Sequence, residues 1–412
     1  MRRNRLVAPL FVILLILTAC SSDDSDDESA GESGPTQDGS FTPLVVTTLN
    51  PEPIPVKGSD GKVHVSYELA VLNTAPREAT ITRIDTLADG PEGKVVATIE
   101  GDEVVARSVI VGDYKLPPVP ATTIPAGRTM LFVIDDAYSE RSAVPATVVN
   151  RLSATFAPLP PNQAPFTTAF EDLSTQDGPV ITTSSKEPVV LGPPLTGSDW
   201  IAFNACCSLS AHRGALVPLG GRINAGERYA IDWFKSDLTV KPLYDEQGGL
   251  GSFRGDRTRN ESFLAFGQPI LAVADGTVVT AVGDVADGVP LVIPDNLKVA
   301  DLGGNRVVID IGDGQYAFYA HIEQGSVTVK PGDKVTKGQE IARLGNTGST
   351  TEAHLHFQVM AGPQPLTAMN LPFEIEKFDL LGTGDPAGFI PAPDAGPRTD
   401  ELPLISSVIS FP

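Results

Sequence analysis

Four of the chain's five histidines lie in its C-terminal half, at His212, His321, His354 and His356. The residues from His354 onward, His354-Leu355-His356-Phe357-Gln358-Val359, read as a strand. Positions i and i+2 of a strand share a face, so the two imidazoles point the same way, roughly 6–7 Å apart at about 3.3 Å per residue. At that separation one ring can bind a metal ion while the other reaches a water on it. The preceding Gly345-Asn346-Thr347-Gly348 lets the backbone bend sharply just before the strand. A bare His-x-His, however, describes two surface histidines equally well, and its neighbours must decide between the readings.

Those neighbours are β-rich, Gly-punctuated segments. They comprise Gly267-Gln268-Pro269-Ile270-Leu271-Ala272-Val273-Ala274-Asp275-Gly276-Thr277-Val278, Gly304-Asn305-Arg306-Val307-Val308-Ile309-Asp310 and Tyr319-Ala320-His321-Ile322. Val329-Lys330-Pro331-Gly332-Asp333-Lys334-Val335-Thr336-Lys337-Gly338-Gln339 and His354-Leu355-His356-Phe357 complete the set. In order and spacing these segments resemble the LytM/lysostaphin family of zinc metallopeptidases, which cut peptidoglycan peptides on an antiparallel β-sheet core. The resemblance implies one Zn²⁺ per chain, bound by the His and Asp of a His-x-x-x-Asp motif and by the second His of His-x-His. Carried over by position, His356 is a metal ligand and Asp232 is another. His354 and His321 are catalytic, acting on the attacking water and the substrate carbonyl. Three protein ligands and an open position are what a hydrolytic zinc site requires, and an imidazole suits proton transfer near neutral pH.

One residue departs from that pattern. The expected His-x-x-x-Asp reads Arg228-Tyr229-Ala230-Ile231-Asp232, and a guanidinium has no lone pair to offer a metal. His212 is the best substitute. Residues 215–219 and 223–231 read as two strands around Leu219-Gly220-Gly221. A three-residue loop there would set His212 on the face of Asp232, and a two-residue Gly-Gly loop would set it on the wrong face. On the first reading Arg228 swings outward to Glu227 or to a substrate carboxylate. On the other, Arg228 pairs with Asp232 in a metal-free site. Cys206 and Cys207 are adjacent and open to three fates: a vicinal disulfide, two buried thiols, or a thiolate on a metal. Two insertions, 234–266 and 287–299, are expected to shape the cleft or to decorate the surface.

The N-terminus is a targeting segment. Arg2, Arg3 and Arg5 precede an apolar run from Leu6 to Leu17, too short for a comfortable membrane span. The run ends in Leu17-Thr18-Ala19-Cys20, a lipobox whose Cys20 takes the lipid. Residues 1–20 are thus a lipoprotein signal peptide, and 21–40, with seven acidic and no basic residues, a disordered tether. Losing 1–20 moves the formal charge from −21 to −24. A polyanion of that size is a poor partner for nucleic acid or anionic lipid, so membrane attachment falls to the acyl chains on Cys20. The protein is expected to be exported and lipid-anchored in the cell envelope.

The fold class expected is all-β. Residues 41–190 alternate with period two, as in Val63-His64-Val65-Ser66-Tyr67-Glu68-Leu69 and Ala79-Thr80-Ile81-Thr82-Arg83-Ile84, with further strands at 104–111 and 130–134. Strands without any helical pattern suggest an immunoglobulin-like β-sandwich, with His64 a structural residue. A junction at 185–198 leads to a LytM-type peptidase domain over 199–378, and 379–412 is a Pro-rich tail with one late apolar strand. Two functions remain: a zinc endopeptidase hydrolysing peptidoglycan peptides, or an inactive relative that binds peptidoglycan or regulates another hydrolase. A biotinyl or lipoyl carrier is disfavoured because no Lys occupies Ala274-Asp275-Gly276.

Overall fold

The computed structural model describes residues 42–113, 121, 123–159, 175–245 and 248–412. The signal peptide, the acidic tether and Cys20 lie outside the described residues.

The chain is nearly all β. Its N-terminal part is a two-sheet sandwich. One sheet orders Leu44–Thr48, Val63–Asn73, Thr129–Tyr138 and Ser108–Ile110, with Val56–Lys57 paired onto Val63–Asn73. The other orders Val95–Glu100, Ala79–Ala88, Thr147–Phe156 and Thr175–Thr182. The odd residues of Val63–Asn73, namely Val65, Tyr67, Leu69 and Val71, fill the core between the sheets. The strand read at 104–111 is shorter than expected. Gly101 turns the chain at φ 59°, Asp102–Ala106 forms one helical turn with Asp102 and Glu103 at its start, and only Ser108–Ile110 is strand. Acidic residues favour the positive end of a helix.

The C-terminal part is built on an eleven-stranded sheet. Its middle runs Arg306–Gly312, Gln315–Ala320, Leu355–Met360, Ile231–Lys235 and Gly197–Phe203. One face of these strands carries Val307, Ile309, Tyr319, Leu355, Phe357, Ile231 and Trp233 into the main core. The segment 379–412 continues the same sheet. Phe378–Asp385 and Gly388–Arg398 form a hairpin, and Ser407–Phe411 lies between Gly197–Phe203 and Phe378–Asp385. The junction at 185–198 is also drawn into the fold, with Leu191 and Leu195 fully buried in the main core.

Residues 41–412 form one compact unit, and the sandwich packs directly against the peptidase-like part. The strand Val63–Asn73 is accordingly buried on both faces. Its even residues His64, Ser66 and Glu68 face away from the sandwich core, yet none reaches solvent. Beside them Leu131 and Val133 of the neighbouring strand pack with Leu216, Leu209 and Ile223.

Candidate metal centre

Strand register builds the centre. Asp232 pairs with His356 across one side of Leu355–Met360, and Ala320 pairs with His356 across the other. Directly opposed residues on antiparallel strands share a face, so Asp232 and His356 meet, and His321 follows as the chain leaves Gln315–Ala320. His356 Nδ1 lies 3.0 Å from Asp232 Oδ1. His354 enters one residue before the strand and brings Nε2 to 3.4 Å from the same oxygen.

His212 arrives by another route than the expected one. The hairpin of Val217–Leu219 and Arg222–Asn224 pairs Leu219 with Arg222, leaving a two-residue Gly220–Gly221 loop. Both glycines have positive φ, 61° and 76°, the backbone that a tight two-residue hairpin demands. That loop would point His212 the wrong way if a strand continued back to it. Instead residues Ala211–Gly214 form a one-turn helix, capped by the Ser210 hydroxyl accepting from the Arg213 amide. The helix carries His212 Nε2 to 3.1 Å from Asp232 Oδ2. Donor atoms of His212, Asp232 and His356 all lie within 4.8 Å of one another. Arg228 does not turn outward, nor does it pair with Asp232. It is buried against Glu68 of the sandwich, with Nε donating at 2.9 and 2.8 Å to the two carboxylate oxygens.

Each histidine has one nitrogen tied down, and in His212, His354 and His356 the other faces Asp232. His212 Nδ1 lies 3.1 Å from the Ala230 carbonyl, His354 Nδ1 2.9 Å from that of Glu352, and His321 Nδ1 2.8 Å from that of Thr347. A carbonyl only accepts, so these Nδ1 atoms carry the proton and each Nε2 keeps a lone pair when neutral. For His356 the order is reversed. Gln358 donates through Nε2 to the carbonyls of Gly226 and Pro365, at 3.2 and 3.3 Å. Its Oε1 therefore faces His356 Nε2 at 2.9 Å and fixes the proton there, freeing Nδ1. Two imidazole lone pairs and a carboxylate oxygen thus converge, a donor set that fits zinc or a similar ion.

The electrostatics follow the same grouping. Burial pushes Asp232 upward, but the neighbouring His212 and His354 outweigh it and hold the carboxyl well below its usual range. Burial pulls His212 down, yet Asp232 raises it to about 9. His321 is pushed well below the ordinary value by burial and by His354 and His356. All five side chains are buried. His321 also sits at φ 63°, a conformation costing a non-Gly residue about 1–3 kcal/mol. It is held there by backbone bonds from its N–H to Gly303 and from the Gly345 N–H to its carbonyl.

Both insertions reach the loop that carries His354. Phe234 stacks on the His354 ring, centroids 4.6 Å apart and planes within 15°. Ser252 donates to Glu352 at 2.7 Å, and the Leu291 amide donates to the Thr351 carbonyl at 2.6 Å. Asn204 donates to Asp232 Oδ2 at 2.8 Å. Of these, Gln358 alone was legible in advance, as it shares the strand face of His356 two residues on; the others are joined only by folding. Cys206 and Cys207 are linked by a disulfide. His64, Asp135 and Cys207 form a second cluster of ligand-type groups among the described residues, but the sulfur in it is committed to that bond.

Fold and site together present a His-Asp-His donor set that could hold a metal ion, on an antiparallel sheet. The family model for peptidase family M23 matches residues 262–368, spanning His321, His354 and His356 but beginning after His212 and Asp232. The peptidoglycan DD-endopeptidase ShyA of Vibrio cholerae is 41% identical over 153 residues, covering 36% of this chain and 30% of that protein. Lipoprotein NlpD of Yersinia enterocolitica is 33% identical over 93 residues, 23% of this chain and 77% of that one. Among solved structures, the catalytic domain of lysostaphin from Staphylococcus simulans aligns at 26% identity over 33% of this chain and 95% of that one, with a TM-score of 0.20. The chain belongs to peptidase family M23, a family of metal-dependent peptidases. It spans only 30% of the length of ShyA and 22% of that of its V. cholerae relative ShyB.

Proposed function

We propose that the protein is a zinc-dependent endopeptidase that hydrolyses peptide bonds of peptidoglycan in the cell envelope. The observation that carries this reading is the convergence of His212, Asp232 and His356, with His354 and His321 alongside, in a chain of family M23. The likeness to ShyA, a peptidoglycan DD-endopeptidase, supports peptidoglycan as the substrate class. His212 Nε2, an Asp232 carboxylate oxygen and His356 Nδ1 would hold the ion. Zinc bound there would supply Lewis-acid chemistry, polarising an amide carbonyl and activating water near neutral pH. His354 presents Nε2 beside Asp232, anchored behind by the Glu352 carbonyl, and moves the proton between water and leaving amine. His321, its ring centre 4.7 Å from that of His354 and held by the Thr347 carbonyl, presents a second Nε2 lone pair, which can accept a hydrogen bond from the attacking water.

The alternative, an inactive binding or regulatory module, drew its support from Arg228 in the ligand position. His212 beside Asp232 supplies an imidazole from elsewhere and weakens that argument. We further propose export and lipid anchoring through Cys20, on the lipobox and on the named lipoprotein relative. Metal analysis of zinc-replete protein tests the reading, together with mass spectrometry of peptides released from purified cell-wall sacculi. About one zinc per chain, lost in His212→Ala, and new peptide termini that vanish with a chelator are expected. A zinc-free wild-type protein that releases no peptides would refute the enzyme reading.

A further inference from the structure

We infer that Glu68, a residue of the N-terminal sandwich, is a positioning residue of the metal centre, holding His212 in place through Arg213 and Arg228. The inference rests on the reading of His212 as a metal ligand. Glu68 is 0% exposed and lies between the two guanidinium groups. Arg213 Nη2 is 3.1 Å from Glu68 Oε1, and Arg228 contacts both oxygens through Nε and Nη2. Arg213 follows His212 in the helix Ala211–Gly214 and reaches three further carriers. It donates to Ser66 Oγ at 2.5 Å and to the carbonyls of Tyr67 and Cys207 at 3.1 Å each. Arg228 opens the segment that ends at Asp232, and the next residue, Tyr229, donates its hydroxyl to the Ser66 carbonyl at 3.2 Å.

The two chain segments that bring in His212 and Asp232 are thus tied to one buried carboxylate on one foreign strand. A four-residue helix has no stability of its own, since a single turn does not repay the cost of nucleation. The orientation of His212 must therefore come from what grips the helix, and Arg213 is its deepest grip. Arg213 Nε and Arg228 Nη1 are buried without hydrogen-bond partners, and Glu68 is the carboxylate that both buried cations share. Removing one partner from such a cluster leaves an uncompensated buried charge, and the ready relief is for the short helix to move. The residue that breaks the His-x-x-x-Asp pattern becomes one half of the clamp that seats the substitute ligand.

The test is zinc affinity, by competition with a chromophoric chelator well below the unfolding midpoint, with the visible spectrum of the cobalt-substituted protein reporting ligand geometry. Wild-type protein and His212→Ala are compared with Glu68→Gln, and circular dichroism verifies that each is folded. Affinity about 10–100-fold weaker in Glu68→Gln, with a changed cobalt spectrum, is expected for an outer partner that orients a ligand. Should Glu68→Gln not fold, the triple variant Glu68→Met, Arg213→Met, Arg228→Met replaces the buried charges with apolar volume, a change that buried ion clusters often tolerate. The same loss of affinity is expected in it. A folded variant with wild-type affinity and spectrum would overturn the inference and leave the metal centre standing. Wild-type zinc binding that His212→Ala does not disturb would overturn the assignment of His212 and the clamp with it.

Discussion

At the scale of single residues, the centre is a set of lone pairs aimed by hydrogen bonds on their far sides. Gln358 matters because both of its amide protons are consumed by carbonyls, which forces its oxygen onto His356 Nε2. Gln358→Leu removes that acceptor without touching the donor cluster. Metal affinity, measured by chelator competition, should fall about 10–100-fold. The roles of the two histidines of the pair separate in the same assay. Asp232→Ala and His356→Ala should lose both metal and cleavage. His354→Ala should keep the metal and lose about 10²–10⁴-fold in cleavage rate, the usual contribution of a positioned proton-transfer group. Full activity in the ligand variants would discard the assignment. Thr347 is placed by a close approach. A Cβ on Gly348, at φ 86°, would come within 2.4 Å of the Gly304 amide nitrogen. Gly348→Ala should therefore shift the Thr347 carbonyl off His321 and lower turnover with the protein still folded by circular dichroism.

At the scale of elements, the strand Val63–Asn73 has two jobs. Its odd face is sandwich core, and its even face is an interface with the peptidase-like part. Two titrating groups of this sheet make its stability fall as pH rises. Asp136 is pushed up to about 7 by burial, against its bond from Thr86. Burial pulls His64 down, but hydrogen bonds to Asp135 and Asp60 raise it to about 9. A group whose folded pKa lies above its unfolded value stabilises fully below the unfolded value and loses that contribution on passing the folded one. Asp136 thus withdraws stability between its ordinary 3.8 and about 7, and His64 between 6.5 and about 9. The thermal midpoint should decline across both windows. Asp136→Asn should flatten the acid-side decline and His64→Gln the alkaline one, and an unchanged profile in either would discard the corresponding assignment.

At the scale of the whole molecule, the chain carries a formal charge of −21, with seven acidic residues in the twenty that follow Cys20. Nothing in that balance draws it to an anionic bilayer, so the proposed attachment rests on lipid chains at Cys20. Cys20→Ser should move the protein from the membrane to the soluble fraction on cell fractionation; retention at the membrane would reject the anchor. The sandwich is more than a spacer, because its strand carries the carboxylate that receives Arg213 and Arg228.

What the sequence determined by itself is local or periodic. His354 and His356 share a face because a strand repeats every two residues, and the family resemblance of the Gly-punctuated segments implied the antiparallel sheet and the parts played by Asp232 and His321. The all-β class and the sandwich followed from the same alternation. Only the tertiary structure decided how His212 reaches Asp232 and what becomes of Arg228. The hairpin loop has two residues, which alone would have sent His212 to the wrong face, and a single helical turn reverses the outcome. That turn is gripped through Arg213 by Glu68, which also takes Arg228 from 160 residues away in the chain. No period or motif links residues that distant; they meet because a strand whose alternation predicts a solvent-facing side instead buries it against the helix Ala211–Gly214 and the segment before Asp232.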